Sequence, residues 1–459
     1  MEGRPLRQRL SGWGNFPAAT TEVRRPEQLR ALPELLTGSD HFVARGLGRS
    51  YGDEAVCSQG STVLMTRLNR FLALEEPEQA GGDAILRCEA GVSFAEIVAH
   101  LLPRGYFPPV TPGTKFVTVG GAIANDVHGK NHHVDGSFAS CLVDFELLLP
   151  FGEQIHCSRT EHADVFWATI GGIGLTGVIV EARLRLRRVS SAYLTVRYLR
   201  ARNLAETIDS FRSTDASERY SVAWVDCLAR GAAAGRAVLM NGDHTPVPDL
   251  PPSLRATPYS VRPSKARTVP LVPPRSLIDR HTTAAFNALY YARNGSRKVV
   301  VDYERFFYPL DGVQHWNRIY GPAGFVQCQA VFPEEEGPRA LADVLATLRA
   351  ARKPCFLAVL KRTGEASGGL LSFPRRGWTL AVDLPVTPDL PAFMDGLHAR
   401  IVGHGGRVYL AKDSTLSAEV FERMYPEVGA FAAVRDRCDP GHRLSSAMSV
   451  RLGIGGGGR

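Results

Sequence analysis

Two glycine-rich segments hold most of the side chains in this sequence that could do chemistry. Residues 44–53, ARGLGRSYGD, place the hydroxyls of Ser50 and Tyr51 among three glycines. Residues 108–138 contain PGTKFVTVGGAIANDVHGKNHH, in which threonines lie among further glycines. Glycine lets a backbone approach a bound group closely, and rows of N–H groups and hydroxyls suit a diphosphate. The two segments together predict a phosphate cradle that leads directly into an active site.

Neither segment is a conventional nucleotide-binding motif, because GLGRSYG misses the spacing of GxGxxG and no GK[ST] occurs. A single loop of this kind is more often a turn. The second segment ends in His128, Lys130, His132 and His133, which could donate protons or carry charge. The three histidines raise zinc as an alternative, but the glycine and asparagine between them disfavour a helix, and no carboxylate or cysteine completes a ligand set. No metal site is predicted.

Strand and helix patterns surround both segments. A short apolar piece at residues 41–44 predicts a strand before the first segment, and residues 94–102 predict a helix capped by Ser93 with Glu96 three residues later. Thr118 is expected to open a short helix whose N-terminus faces the diphosphate. Further strands are predicted at residues 61–65, 84–88, 142–149 and 177–184.

From about residue 190 the pattern changes to alternating strands of one antiparallel sheet with helices between them. Prolines crowd residues 244–275, where we expect no packed core. That stretch is predicted to be a mobile loop or lid, with a surface insertion without a role as the alternative. Strands are predicted at 193–199, 221–226, 298–309, 326–332, 356–360 and 378–384, and helices at 341–351, 390–402 and 418–438.

The two segments, with GGIGLTG at residues 171–177, resemble the FAD-binding half of the vanillyl-alcohol oxidase type of flavoprotein. The resemblance continues through RIYGPAGFVQCQ, LSFPRRGWTLAVDLP and GGRVYLAKDS, and is closest to the decaprenylphosphoryl-β-D-ribose oxidases. It implies an α+β fold, with a two-part FAD-binding domain of this type and an antiparallel-sheet α+β substrate domain. Residues 1–190 would form the first part, 191–405 the substrate domain, and 406–459 the C-terminal return to the FAD-binding domain.

The resemblance also implies roles for individual residues. Oxidation of an alcohol needs a base for the hydroxyl proton while hydride leaves carbon, and the candidates are Lys412, His128 and Tyr51, with Lys412 ranked first. The expected FAD contacts are Arg45, Gly46, Gly48, Arg49, Ser50, Tyr51, Gly113, Thr114, Thr118, Gly120, Gly121, Ala124, His128, Gly129, Asn131, Ile179 and Tyr409. The expected substrate contacts are Lys130, Trp224, Asn317, Gln327, Gln329, Lys361, Ala381 and Lys412.

Some positions depart from related patterns. Covalent flavoproteins of this superfamily carry histidine where the first loop has Arg49, so we expect FAD to be held without a covalent bond. Many mycobacterial decaprenylphosphoryl-ribose oxidases have Asn-x-Cys where this chain has Thr379 and Ala381. Covalent trapping by nitroaromatic inhibitors is therefore expected to fail, whereas oxidation needs no thiol. Residues 307–309 and Val313 also differ, which leaves the sugar and lipid preference open.

Composition narrows the function class. A chain of 459 residues with 44% hydrophobic residues is typical of two or three globular domains. The net charge of +8 fits either a scattered arginine surface or attraction to a phosphate-bearing substrate or membrane face, and the lack of a basic module disfavours nucleic acid. No signal peptide or transmembrane helix is predicted, which favours the cytoplasm or the periphery of the cell envelope. The eight scattered cysteines are expected to be reduced.

Three functions remain open at this stage. The first is oxidation of the 2'-hydroxyl of a polyprenylphosphoryl-β-D-ribose to a keto sugar, which begins epimerisation to the arabinose form for cell-wall arabinan. A separate NADH-dependent short-chain reductase would complete that reaction, in agreement with the lack of an NAD fingerprint here. The second is an aldonolactone or free-sugar alcohol oxidase of specialised metabolism, and the third is a flavin-containing binding protein without turnover.

Overall fold

The computed structural model describes residues 6–79, 81–214, 217–262 and 267–454, and its strands in those ranges form four sheets. The first sheet has four strands and carries the first glycine-rich loop at the end of one of them. Its outer pair is antiparallel and its other two pairings are parallel. The strand order is Leu6–Ser11, Ala18–Arg24, Ser61–Leu64, Phe42–Arg45.

The second sheet is antiparallel and packs beside the first. Its long strand, Val178–Arg188, is central, and buried apolar residues alternate along it as expected for a strand with one face in the core. The helix Phe94–Leu101 lies nearby, and Ser93 and Glu96 form the predicted capping box at its start. The order is Phe71–Glu75, Ala84–Glu89, Val178–Arg188, Leu142–Leu148, Gln154–Ser158, with Tyr106–Phe107 paired to the long strand.

The third sheet has eight strands, all antiparallel, which confirms the prediction of one antiparallel sheet. The strands Phe325–Pro333 and Gly377–Pro385 are buried along almost their whole length. The helices Leu204–Thr214, Gly337–Ala350 and Leu390–Gly403 pack against this sheet. The order is Arg297–Asp302, Tyr193–Ala201, Ala237–His244, Tyr220–Val225, Ala358–Thr363, Gly377–Pro385, Phe325–Pro333, Arg407–Val408.

The remaining elements are one strand pair and helices of four to 14 residues. Arg267–Thr268 and Val313–Gln314 form a two-stranded parallel pair, the fourth sheet. The other helices are Leu32–Thr37, Val119–Ala124, His132–Asp135, Ala163–Thr169, Pro252–Arg255, Arg280–Arg293, Tyr303–Phe307, Ala418–Met424, Val428–Cys438 and Ala447–Leu452. None of the helices in the described ranges is both long enough and apolar enough to cross a membrane. All eight cysteines are unpaired and buried.

Two predicted elements are wrong in detail. The strand predicted over residues 298–309 ends at Asp302, whose carboxylate accepts a hydrogen bond from Arg305 N–H and so caps a helix instead. The single helix predicted over 418–438 is two helices. The break lies at Tyr425, because the following proline disfavours helical geometry in the residue before it and supplies no N–H.

The proline-rich stretch is more ordered in its first half than expected. Leu250 is buried, and the Tyr259 hydroxyl donates to the carbonyl of Val189 at 3.0 Å. The expectation of no packed core is therefore wrong for this half. Residues 263–266 lie outside the described ranges, and the mobility of the stretch stays a prediction.

The C-terminal segment is tied to the first loop and first sheet. Phe42 pairs with the backbone on either side of Leu444, and Arg451 forms ion pairs with Asp53 and Asp413. The strand Arg407–Val408, however, belongs to the third sheet. We keep the three-part domain division as a proposal that these contacts support, with its second boundary a few residues later.

Candidate active site

A cavity of about 520 Å³ lies between the two glycine-rich loops and one face of the eight-stranded sheet. That volume is in the range of small-molecule sites. Side chains alternate across a strand, so every second residue of neighbouring strands points into the cavity. The sheet residues that line it are Tyr198, Val222, Trp224, Met240, Gln327, Gln329, Val359, Lys361 and Ala381.

The structure brings together all of the predicted site residues except two asparagines. The others line this one cavity. Asn131 instead donates to the carbonyl of Pro109 at 2.8 Å and to Asp135 at 2.6 Å. Asn317 donates to the carbonyl of Trp13 at 3.0 Å. Both asparagines therefore hold nearby chain segments in place around the cavity.

The first loop is glycine-rich because two other parts of the chain approach it closely. A side chain at Gly46 would overlap the hydroxyl of Thr118 in the second loop, and one at Gly52 would overlap the carbonyl of Asp413. Arg45 donates to the carbonyls of Ser11 and Ala55, which fixes the start of the loop. The guanidinium of Arg49 lies 4.1 Å from the ring centroid of Trp13. Glycine thus lets the two loops meet at the cavity wall.

The second loop is held by its threonine cap and by the C-terminal segment. The Thr118 hydroxyl accepts a hydrogen bond from Gly121 N–H at 3.2 Å, at the start of the helix Val119–Ala124. The Tyr409 hydroxyl donates to the carbonyl of Asn125 at 2.8 Å, just beyond the helix end. Two segments far apart in sequence therefore share one wall of the cavity.

Buried polar atoms with no protein partner point to a polar ligand. Among the described residues that line the cavity, such atoms are Arg49 Nε, Glu54 Oε2, Asn125 Oδ1, His128 Nδ1 and Trp224 Nε1. Each buried group left unpaired costs about 1–3 kcal/mol. A large ligand with phosphates, hydroxyls and ring nitrogens could satisfy several of them at once. These residues and the glycine cradle fit a flavin dinucleotide.

Three lysines converge on the same cavity. Burial lowers the pKa of Lys412 to about 7, with nearby Lys361 acting in the same direction and Asp383 and Glu54 opposing it. Burial lowers the pKa of Lys361 to about 8, and that of Lys130, which also faces Lys361, to about 7. Each amine can therefore exchange its proton near neutral pH.

Two buried carboxyl groups lie near Lys412, and neither was predicted as a site residue. Burial raises the pKa of Glu54 to about 7 and that of Asp383 to about 7, against the opposing effect of Lys412. Ser50 donates to Glu54, and Gln327 donates to Asp383. Asp383 stands in a motif quoted for the family resemblance and Glu54 directly follows another, but nothing in the local sequence marks them as buried.

Tyr51 and His128 have different chemistry from Lys412. The Lys412 ammonium lies 3.7 Å from the centroid of the Tyr51 ring. Burial raises the pKa of Tyr51 well above its ordinary value, so its hydroxyl stays protonated. Burial lowers the pKa of His128 well below its ordinary value, with Lys361 adding to the effect, and its Nε2 lies 2.9 Å from Gln329 Nε2. Of the three predicted catalytic groups, the lysine is the one able to accept a proton near neutral pH.

The three histidines considered for zinc serve separate partners. His132 Nδ1 accepts from Gly364 N–H at 3.0 Å, and His133 Nε2 lies 3.0 Å from the carbonyl of Glu218. In the ranges that the structure describes, no three His, Cys, Asp or Glu side chains are grouped to hold a metal ion.

An apolar region, which the sequence reasoning largely missed, extends the cavity. Phe286 and Tyr290, from the helix Arg280–Arg293, line it together with Phe356. Phe286 contacts Phe356 at a centroid distance of 4.7 Å, and Tyr290 contacts Trp224 at 4.6 Å. The cavity thus has a polar end beside the loops and an aromatic end beside this helix.

Comparison with known proteins agrees with this arrangement. Residues 17–158 match the model of a family described as an FAD binding domain. Over 454 residues, 97% of each chain, the sequence is 36% identical to decaprenylphosphoryl-β-D-ribose oxidase of Mycolicibacterium smegmatis. It is 36% identical over 373 residues to an uncharacterized protein in the mprA 5' region of Streptomyces coelicolor, covering 79% of this chain and 100% of that one. It is also 30% identical over 190 residues to Delta(24)-sterol reductase of Rattus norvegicus, covering 41% and 34%.

Proposed function

The chain belongs to the decaprenylphosphoryl-β-D-ribose oxidase family, and on that premise we propose that it oxidises the 2'-hydroxyl of a polyprenylphosphoryl-β-D-ribose to the 2'-keto sugar. This is the first half of epimerisation to the arabinose form used in cell-wall arabinan. The observation that carries the proposal is one cavity with three convergent lysines at its polar end and an aromatic wall at the other. Such a cavity suits a ligand with a sugar, a phosphate and a lipid.

The chain binds FAD, which accepts a hydride from the substrate carbon. The residues suited to hold it are those of the two glycine-rich loops, with Ile179 and Tyr409 from later strands and turns. We propose non-covalent binding, because Arg49 stands where a covalent superfamily member has histidine and an arginine cannot form that bond.

Lys412 is the proposed base for the substrate hydroxyl. Burial holds the pKa of its ammonium at about 7, so a large fraction is the neutral amine at neutral pH. Tyr51 lies against this lysine and, being protonated, can donate a hydrogen bond to the sugar oxygen. Neutral His128, beside Gln329, packs against the ring of Tyr409 at a centroid distance of 5.3 Å and completes the wall.

Lys130 and Lys361 are the proposed phosphate contacts. Both are partly buried and line the cavity, and after burial the charge of Lys361 is the second cause that lowers the pKa of Lys130, as expected for two cations near each other. Lys130 also donates to the carbonyl of Phe306, which holds its amine at the cavity wall. A phosphate bound between them would favour the protonated, charged form of both amines.

We also propose that a separate NADH-dependent short-chain reductase uses the keto product, and that the enzyme works at the surface of the cell envelope. A keto sugar must be reduced on the opposite face to give the epimer, and this chain has no NAD fingerprint to do so. A polyprenyl chain is confined to a membrane by its apolar length.

Anaerobic flavin reduction tests the proposal. The holoenzyme should lose its flavin absorbance within one turnover when mixed with a polyprenylphosphoryl ribose in detergent, and much more slowly with an aldonolactone or free ribose. Rapid reduction by the lactone alone would assign the chain to the sugar-alcohol oxidases. An unchanged spectrum with all three would contradict the proposed oxidation.

A further inference from the structure

Large apolar side chains are exposed in one stretch of the chain. Five of the eleven such residues in the described ranges lie between residues 271 and 289. They are Leu271, Val272, Leu277, Phe286 and Leu289, which are 77, 50, 56, 37 and 51% exposed. The other six lie singly along the chain, as scattered surface residues ordinarily do.

The helix in this stretch buries two polar residues and leaves the apolar Leu289 facing solvent. Arg280–Arg293 buries the polar Thr283 and Asn287 and exposes the apolar Phe286 and Leu289. Asn287 donates to the carboxylate of Asp226 at 2.7 Å, which fixes this orientation. Phe286 lies one helical turn from Thr283, on the side that lines the cavity, whereas Leu289 faces solvent and is available to an external partner.

Basic residues surround the exposed apolar ones. Residues 267–298 contain five arginines and one lysine against a single aspartate, a formal charge of +5 out of +8 for the whole chain. All six cations are exposed. The start of the stretch is held in place, because Arg318 donates hydrogen bonds to the carbonyls of Val269 and Pro270 at 2.9 and 3.0 Å. Apolar residues that enter a bilayer boundary and cations around them match an anionic lipid surface.

The stretch adjoins the mouth of the cavity. Phe286 is exposed and also lines the cavity, and it is followed inward by Tyr290 at a centroid distance of 5.8 Å. Tyr290 in turn contacts Trp224 at 4.6 Å. A continuous aromatic wall therefore connects the outer apolar residues with the interior of the site.

We propose that residues 267–298 form a docking surface for an anionic lipid membrane, and that the helix Arg280–Arg293 passes the lipid tail of the substrate from the bilayer into the cavity. The delivery step rests on the function proposed above, whereas the docking step does not. A protein partner fits less well, because the core of a protein interface is depleted in charged residues and this face carries a dense single-sign set.

Vesicle co-sedimentation of the full-length holoenzyme tests the docking surface. We expect binding to vesicles that contain phosphatidylglycerol and at least about tenfold weaker binding to pure phosphatidylcholine, with salt weakening the former. The double variant Leu271→Gln/Leu289→Gln should lose about tenfold or more of its binding, because two apolar side chains no longer enter the lipid. Arg275→Gln/Arg293→Gln should lose roughly fivefold per arginine on the anionic vesicles and little on neutral ones.

The matched control is Leu6→Gln/Phe151→Gln, which removes two apolar residues outside the stretch, 60 and 58% exposed, and should bind as the wild type does. In detergent, where no membrane is needed, the leucine variants should reduce their flavin at the wild-type rate. Wild-type vesicle binding without any flavin reduction would support docking while contradicting the substrate proposal. The docking surface would be overturned if the wild type did not bind vesicles, or if the control variant lost binding equally. It would also be overturned if a reductase bound this surface, the leucine variants abolished that binding, and vesicles did not compete with it.

Discussion

The protonation of Lys412 should set the pH dependence of the chemical step. Burial lowers the pKa of this amine from 10.5 to about 7, so the neutral form, which accepts the substrate proton, increases as the pH rises through 7. That form is about a tenth of the total at pH 6 and about nine tenths at pH 8. The rate of flavin reduction should therefore rise about tenfold between these values and then level off.

Lys412→Arg isolates the proton transfer from the charge. Arginine keeps the positive charge beside Tyr51 but does not lose its proton in this range. We expect flavin reduction to slow by about 10²- to 10⁴-fold and to lose its rise with pH, as removal of a general base does. Lys361→Arg is the matched control, because the same exchange at a proposed phosphate contact should weaken substrate binding while the pH profile remains.

Stopped-flow reduction under anaerobic conditions, with saturating substrate, measures this step free of reoxidation. A wild-type rate that does not change between about pH 6 and pH 8 would contradict the role of Lys412. A Lys412→Arg enzyme that keeps both the rate and the profile would do the same and would direct attention to Glu54 or Asp383, the two buried carboxyls whose pKa values are also raised to about 7.

Four further outcomes follow from the site. Gly46→Ala should lower the FAD content of the purified protein, because the new methyl group overlaps Thr118. Gly396→Ala, which has open space around it, should not, and equal flavin content in the two variants would contradict the packing of the loops. Acid precipitation should release the yellow cofactor into the supernatant, and colour retained by the pellet would mean a covalent bond. The wild type should form no covalent adduct with a nitroaromatic inhibitor at Ala381, whereas the variant Ala381→Cys should form one. A mass shift on that strand in the wild type would refute this. Binding of a phosphate-bearing ligand at about pH 8 should take up protons, because the phosphate raises the pKa values of Lys130 and Lys361. Calorimetry in two buffers measures this uptake, and a value of zero would count against these contacts.

Motif residues were predictable because their chemistry is local. The glycines and hydroxyls of both loops are dense in sequence, and the structure brings them to one cavity. Asp383 was missed because its significance comes from its complete burial near Lys412. The two residues lie in a strand and a turn that only the tertiary structure brings together. The break at Tyr425 had a local signal in the proline that follows, which the prediction of a single helix did not use.

The helix Arg280–Arg293 shows a different limit of sequence reasoning. Its two buried positions are polar and its Phe286 and Tyr290 line the cavity, so a pattern that assumes an apolar buried face does not find its role. A buried hydrogen bond from Asn287 to Asp226 holds it, a contact between residues 61 positions apart. Burial and long-range pairing had to be seen before this helix could be connected with the cavity.

Single-turnover stoichiometry tests the central claim most directly. The purified yellow protein, mixed anaerobically with one equivalent of polyprenylphosphoryl ribose, should lose its flavin absorbance and yield one equivalent of the 2'-keto sugar by mass spectrometry. Protein that is colourless and takes up no added FAD, or flavin that bleaches without any keto sugar formed, would contradict an FAD-dependent oxidation in this cavity.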